Sequence, residues 1–128
     1  MSFVLMLHSI LRWAIAITAI AALIKFAIGW LGKNPYDSTA KRLRVAFTSL
    51  MDVQLLVGVI YLIWSGLQGF GFPPYRIAHA VVMVIAVVLA HLTSLGKDKS
   101  DTIRYRNGFL FLLASLLVVF IGVSLLPG

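Results

Sequence analysis

The chain contains no cysteine and no glutamate, and its four acids are all aspartates set against eleven Lys and Arg in 128 residues. Absence of cysteine excludes disulfides, thiolate zinc sites, iron–sulfur clusters and covalent c-type haem attachment together. Charge of either sign is scarce: 12% of residues are charged while 61% are hydrophobic. Soluble domains are nearer about 45–50% apolar and about 25% charged. A net charge of +7 would ordinarily suggest a polyanionic partner. Here the basic residues stand between long uncharged runs, which is how membrane proteins distribute charge and argues against nucleic acid.

Four apolar runs are present, at about residues 3–31, 45–67, 76–95 and 108–126. Each is near or above the roughly 20 residues a crossing needs. They are too long for barrel strands, and an open sheet leaves its backbone unsatisfied in lipid, so helices are expected. The first run lacks a basic leader and a clear cleavage site and reads as a retained span. Short connections join the runs: Gly32-Lys33-Asn34-Pro35-Tyr36-Asp37-Ser38, a Gly/Pro/aromatic turn at Gln68–Tyr75, and Gly96-Lys97-Asp98-Lys99-Ser100-Asp101; Pro127-Gly128 closes the last run. The expected fold is all-α and integral to the membrane: one domain, residues 1–128, as an up-down-up-down four-helix transmembrane bundle.

Lys33, Lys41, Arg42 and Arg44 lie between runs one and two, and Lys97, Lys99, Arg104 and Arg106 between runs three and four. The other face has only Arg76 and the chain amine. The positive-inside rule then puts both basic loops in the cytoplasm and both termini outside, as expected of a multi-pass protein of a bacterial inner membrane. The same basic residues suit contact with lipid headgroups. Trp30, Tyr36, Tyr61, Trp64 and Tyr75 fall near span ends, where interfacial anchors belong.

Ionisable residues inside spans are costly and mark candidate functional groups. They are His8, Arg12, Lys25, Asp52, His79 and His91. Lys25 is close enough to its helix end to snorkel, and Gln54 has a plain use as an interhelical hydrogen-bond partner. His8 and His79 come to similar depth from the less basic face once the spans are threaded antiparallel. Two neutral imidazoles on facing helices can take both axial positions of a haem iron. Ala16, Ala19 and Ala22 below His8, and Ala86 and Ala90 below His79, are expected to leave room for a flat macrocycle; small residues equally serve close helix packing. Arg12 follows His8 by four residues and Arg76 precedes His79 by three, so each shares its histidine's side and is a candidate partner for haem propionates. His91, twelve residues after His79, does not share its face. It is a weaker candidate ligand, level with Asp52, and the two suggest a hydrogen-bonded pair or a proton relay.

The segments Leu7-His8-Ser9-Ile10-Leu11-Arg12-Trp13, Gly29-Trp30-Leu31-Gly32-Lys33 and Gln54-Leu55-Leu56-Val57-Gly58, with His79, Met83 and His91, resemble the small four-helix bacterial membrane proteins grouped loosely as cytochrome b. The resemblance covers most of the chain through scattered residues. It implies non-covalent haem b held by histidines, and electron transfer as a subunit of a respiratory or photosynthetic oxidoreductase. Quinol or a redox protein would be donor or acceptor, with other membrane subunits or further copies of the chain as neighbours. That family often carries His two positions before the span-two Gln. Asp52 stands there instead, which favours one haem over two. The alternatives are a haem-free small transporter using Asp52 with His91 as a relay, and a structural accessory subunit. Against the transporter, the first span holds no acid of the kind four-helix exporters use.

Overall fold

The computed structural model describes residues 2–96 and 98–126. Lys97 of the second basic loop, the Pro127-Gly128 stop and the chain amine lie outside the described residues. Four helices run α1 (Ser2–Leu31), α2 (Ser38–Ser65), α3 (Pro74–Leu92) and α4 (Asp101–Ser124), and all four are long and apolar enough to cross a membrane. They form the expected four-helix transmembrane bundle. Each helix packs on its neighbours in a ring, with α1 across the diagonal from α3 and the α2/α3 seam the sparsest.

α1 keeps to its apolar run, but α2, α3 and α4 start before theirs and stop short of their ends, because local caps and turns set them rather than hydropathy. The side chain of Asp37 accepts from the backbone N–H of Ala40 and opens α2 seven residues before the apolar run, taking Lys41, Arg42 and Arg44 into the helix. Ser100 does the same for α4 by accepting from Ile103 N–H. Pro74 occupies the first turn of α3, where its missing N–H costs nothing. α3 ends at Leu92, three residues short of its apolar run, and the turn Thr93–Gly96 follows. The expected turn at Gln68–Tyr75 is in part helical: α2 continues through a π-helical turn at Gly66–Phe70, and only 71–73 separate it from α3. Positive φ at Gly69 (120°) and Gly71 (69°) lets the chain reverse there without a side-chain clash.

Large apolar side chains face outward, as in Ile10, Trp13, Ile17, Ile20, Ile24 and Ile28 of α1, while the interior combines alanines and aromatic rings with a few aliphatic residues such as Ile15, Met51 and Leu112. The tightest packing is at the basic end. Phe26 meets the rings of Tyr36 and Tyr105 edge-on, with centroids 5.9 Å and 5.4 Å away. Trp30 packs on Phe109, and Tyr36 accepts from Arg44 Nε at 3.1 Å beneath the Arg104 guanidinium. Trp30 and Tyr36 are therefore packing residues as well as end residues, whereas Trp64 and Tyr75 remain exposed near helix ends.

The alanines expected to leave space below the histidines are used otherwise. Ala19, Ala22, Ala86 and Ala90 are buried in the core. Their small size lets helices close up, so that Ser115 Oγ donates to the Ala86 carbonyl at 2.8 Å. Close packing is therefore what these four alanines serve below the histidines, while Ala16, nearer His8, is only half-buried.

Candidate functional site

Toward the less basic end the sealed core thins, and polar groups collect between α1, α2, α3 and the end of α4. His8 stands on the second turn of α1 and His79 on the second turn of α3, on diagonal helices. His8 is within charge-interaction range of both His79 and Arg12.

The Nδ1 edge of one ring is committed. His79 Nδ1 lies 2.7 Å from the carbonyl oxygen of Gly122. A carbonyl can only accept, so Nδ1 carries the proton and a neutral ring keeps its lone pair on Nε2. Gly122 is in the last turn of α4, where carbonyls lack full intrahelical partners. The Met83 side chain fills the notch over Gly122, where a Cβ would collide with it.

His8 is held from α2. Gln54 Nε2 donates to the His8 backbone carbonyl at 2.9 Å, which brings the Gln54 side chain alongside the imidazole. Gln54 Oε1 and His8 Nδ1 are both buried and unpartnered, close but outside hydrogen-bonding geometry. They are chemically complementary, since a proton on Nδ1 is the kind of donor that Oε1 lacks. One turn on, Gly58 forms a shelf under the ring, and a Cβ there would sit 3.4 Å from His8 Cε1. His79 thus has a fixing partner for Nδ1, the arrangement found in metal-ligating imidazoles, whereas His8 is held through its backbone carbonyl and its Nδ1 is unpartnered. These residues fit a haem iron as a donor set.

The two arginines differ. The terminal nitrogens of Arg76 bind the Gly71 carbonyl (2.6 Å) and Ser65 Oγ, and its guanidinium lies over the Tyr61 ring. It staples the outer turn to α2. Arg12 is exposed with no hydrogen-bond acceptor among the described residues, and rests near the Trp13 ring at 5.8 Å. Lys25 reaches the end of its helix and pairs with Asp37 at 2.8 Å.

His91 is elsewhere. Twelve residues from His79, it is about 18 Å further along α3, and its Nε2 meets Asp52 Oδ1 at 2.8 Å. The expected pair with Asp52 is present, and it occupies the nitrogen that a metal would use. Among the described residues no group of three or more His, Asp or other metal-binding side chains converges, so a zinc-type centre is not formed there.

Sequence reasoning did not single out Gly122, Ser65 or Gly71, which partner the site residues through a carbonyl or a hydroxyl. A glycine in the last turn of α4, at the depth of His79, was the available signal for the first. No family model, no curated protein and no solved structure matches the chain.

Proposed function

We propose that the chain is a small membrane b-type cytochrome that holds one non-covalent haem between α1 and α3 through His8 and His79. One observation carries this reading: on diagonal helices the His79 ring is fixed at Nδ1 by the Gly122 carbonyl, which leaves its Nε2 lone pair available, and the His8 ring keeps a buried Nδ1 without a partner. Such a bound haem supplies one-electron redox chemistry, and an iron with both axial positions taken by imidazole suits electron transfer rather than oxygen activation. The protein's contribution is ligand orientation. Gly122 fixes the His79 tautomer, Gln54 holds the His8 backbone, Gly58 leaves room for the His8 ring, and Met83 fills the space over the Gly122 notch. Arg12, with a free guanidinium, is the better candidate for a propionate; Arg76 keeps its role only through the nitrogen it has left over.

In this reading the protein exchanges electrons with quinol or a redox protein, as a subunit of a larger oxidoreductase in a bacterial inner membrane. The basic ends of the bundle would face the cytoplasm.

The test is absorption spectroscopy of protein expressed with ample haem supply and purified in detergent. Dithionite reduction should give b-type bands at one haem per chain. His8→Ala and His79→Ala should each abolish them, and His91→Ala should leave them in place. A colourless protein would overturn the proposal and leave the relay or purely structural alternatives. Equal haem loss in the His91 variant would overturn the ligand pair.

A further inference from the structure

The Asp52–His91 pair poses a separate question. Ionisable residues within spans almost always face the bundle interior. Here the Asp52 and His91 side chains remain 47% and 54% exposed on the outside of the α2/α3 seam. They line a groove of about 170 Å³ with Arg44, Thr48, Ser49 and Ser94. His91 is the penultimate residue of the 19-residue α3. A helix that long is about 28 Å, roughly the hydrocarbon thickness, so the pair sits near the apolar boundary on the basic side.

The groove's unused bonding capacity defines an occupant. Asp52 Oδ1 is taken by His91, while Oδ2 has no partner among the described residues and is open to accept a hydrogen bond. Arg44 uses Nε on Tyr36, and its terminal nitrogens, which can only donate, make no hydrogen bond among the described residues. Ser49 is exposed on the same wall. The occupant therefore offers a hydroxyl donor at the Asp52 end and an oxygen acceptor toward Arg44 and Ser49, and arrives through lipid. A lipid phosphate satisfies Arg44 but meets the Asp52 carboxylate with like charge. A quinol head, neutral and bearing a hydroxyl and a second oxygen on opposite sides of a ring, satisfies both ends.

We infer that the α2/α3 groove binds the head of a membrane quinol, with a ring hydroxyl donating to Asp52 and the opposite oxygen facing Arg44 and Ser49. This rests on the electron-transfer reading above and gives it a donor site, at the end of the bundle opposite His8 and His79. The sparse packing of the α2/α3 seam leaves the groove open to lipid.

The test is photolabelling of the purified full-length protein with an azido-quinone bearing a short isoprenoid tail, followed by peptide mapping and a haem spectrum of the same sample. Saturable label on residues 44–52 or 91–94, competed by unlabelled quinol and not by phosphatidylglycerol, is the expected result. Asp52→Asn should weaken labelling about tenfold or more, since it removes a charged acceptor. Ser49→Leu, which fills the groove without touching the pair, should abolish labelling with the haem bands unchanged. Label that maps elsewhere, is displaced by the phospholipid, or ignores both substitutions overturns the inference. So does a crosslink through these residues to a second copy. A haem-free protein that still takes the label at this groove removes the electron-transfer reading alone; a haem-loaded protein without label removes only the quinol site.

Discussion

His79 Nδ1 and the Gly122 carbonyl oxygen lie 2.7 Å apart, joining the second turn of α3 to the last turn of α4. The contact adds a second donor to a helix-end carbonyl that already accepts from Leu125 N–H, and it sets the histidine's tautomer. Its counterpart on the other side of the bundle, the Gln54 contact with His8, is looser, since its acceptor and donor are present but unpaired. The asymmetry makes His8 the ligand more sensitive to its surroundings.

Gln54→Leu should therefore weaken haem binding about 10- to 100-fold, the usual effect of losing the group that orients a ligating histidine. The fold should survive, because Gln54 makes only the single bond to the His8 carbonyl. Gly58→Leu should be worse, as the added side chain would occupy the space of the imidazole. Haem titration of the apoprotein measures both. Wild-type affinity in Gln54→Leu would show that this amide does not position His8.

Gly29 and Gly108 face the aromatic cluster, where a Cβ would strike the rings of Tyr105 and Phe26. Replacing a helical glycine with alanine ordinarily gains up to about 1 kcal/mol. Overpacking a close-fitted core costs about 1–3 kcal/mol, so steric conflict wins at both positions. Gly29→Ala and Gly108→Ala should each lower the thermal midpoint in detergent. A raised midpoint would mean that the rings can move aside.

How much of this was legible follows from which physics each feature obeys. Four spans and their antiparallel threading are fixed by hydropathy and loop length, and these act locally. Helix starts at Ser38 and Asp101 lay beyond the apolar runs because Asp37 and Ser100 cap them, a signal carried by single polar residues. The depths of His8 and His79 could be counted from span ends. The partner of His79 Nδ1 could not: Gly122 contributes a backbone carbonyl, and every residue has one. Ala86 and Ala90 misled for a related reason, since a small residue marks close packing and open space alike, and only the neighbouring helices decide between them.

Arg76→Ala should loosen the outer turn. Its two terminal nitrogens tie Gly71 and Ser65 together across the reversal, and hydrogen bonds from a charged donor are worth about 1.5–3 kcal/mol each. Amide exchange over Gly66–Phe72 should speed up about tenfold or more, with the haem content little changed. Unchanged exchange combined with haem loss would instead assign Arg76 to a propionate.

The Lys25–Asp37 bridge should make stability depend on pH in one direction. The Lys25 ammonium, together with the Ala40 N–H, holds the Asp37 carboxyl below the usual carboxylate range. A carboxyl lowered in the folded state stabilises the fold at pH values above its ordinary pKa of about 3.9. That contribution is lost as pH falls through the lower folded value. Lys25→Met keeps the apolar stem and removes the charge, so its thermal midpoint should fall below wild type at pH 7. The gap should narrow as pH drops below about 4, and also in high salt, since the pair is solvent-exposed. Equal gaps at pH 7 and pH 3 would assign the effect to packing of the Lys25 stem rather than to its charge.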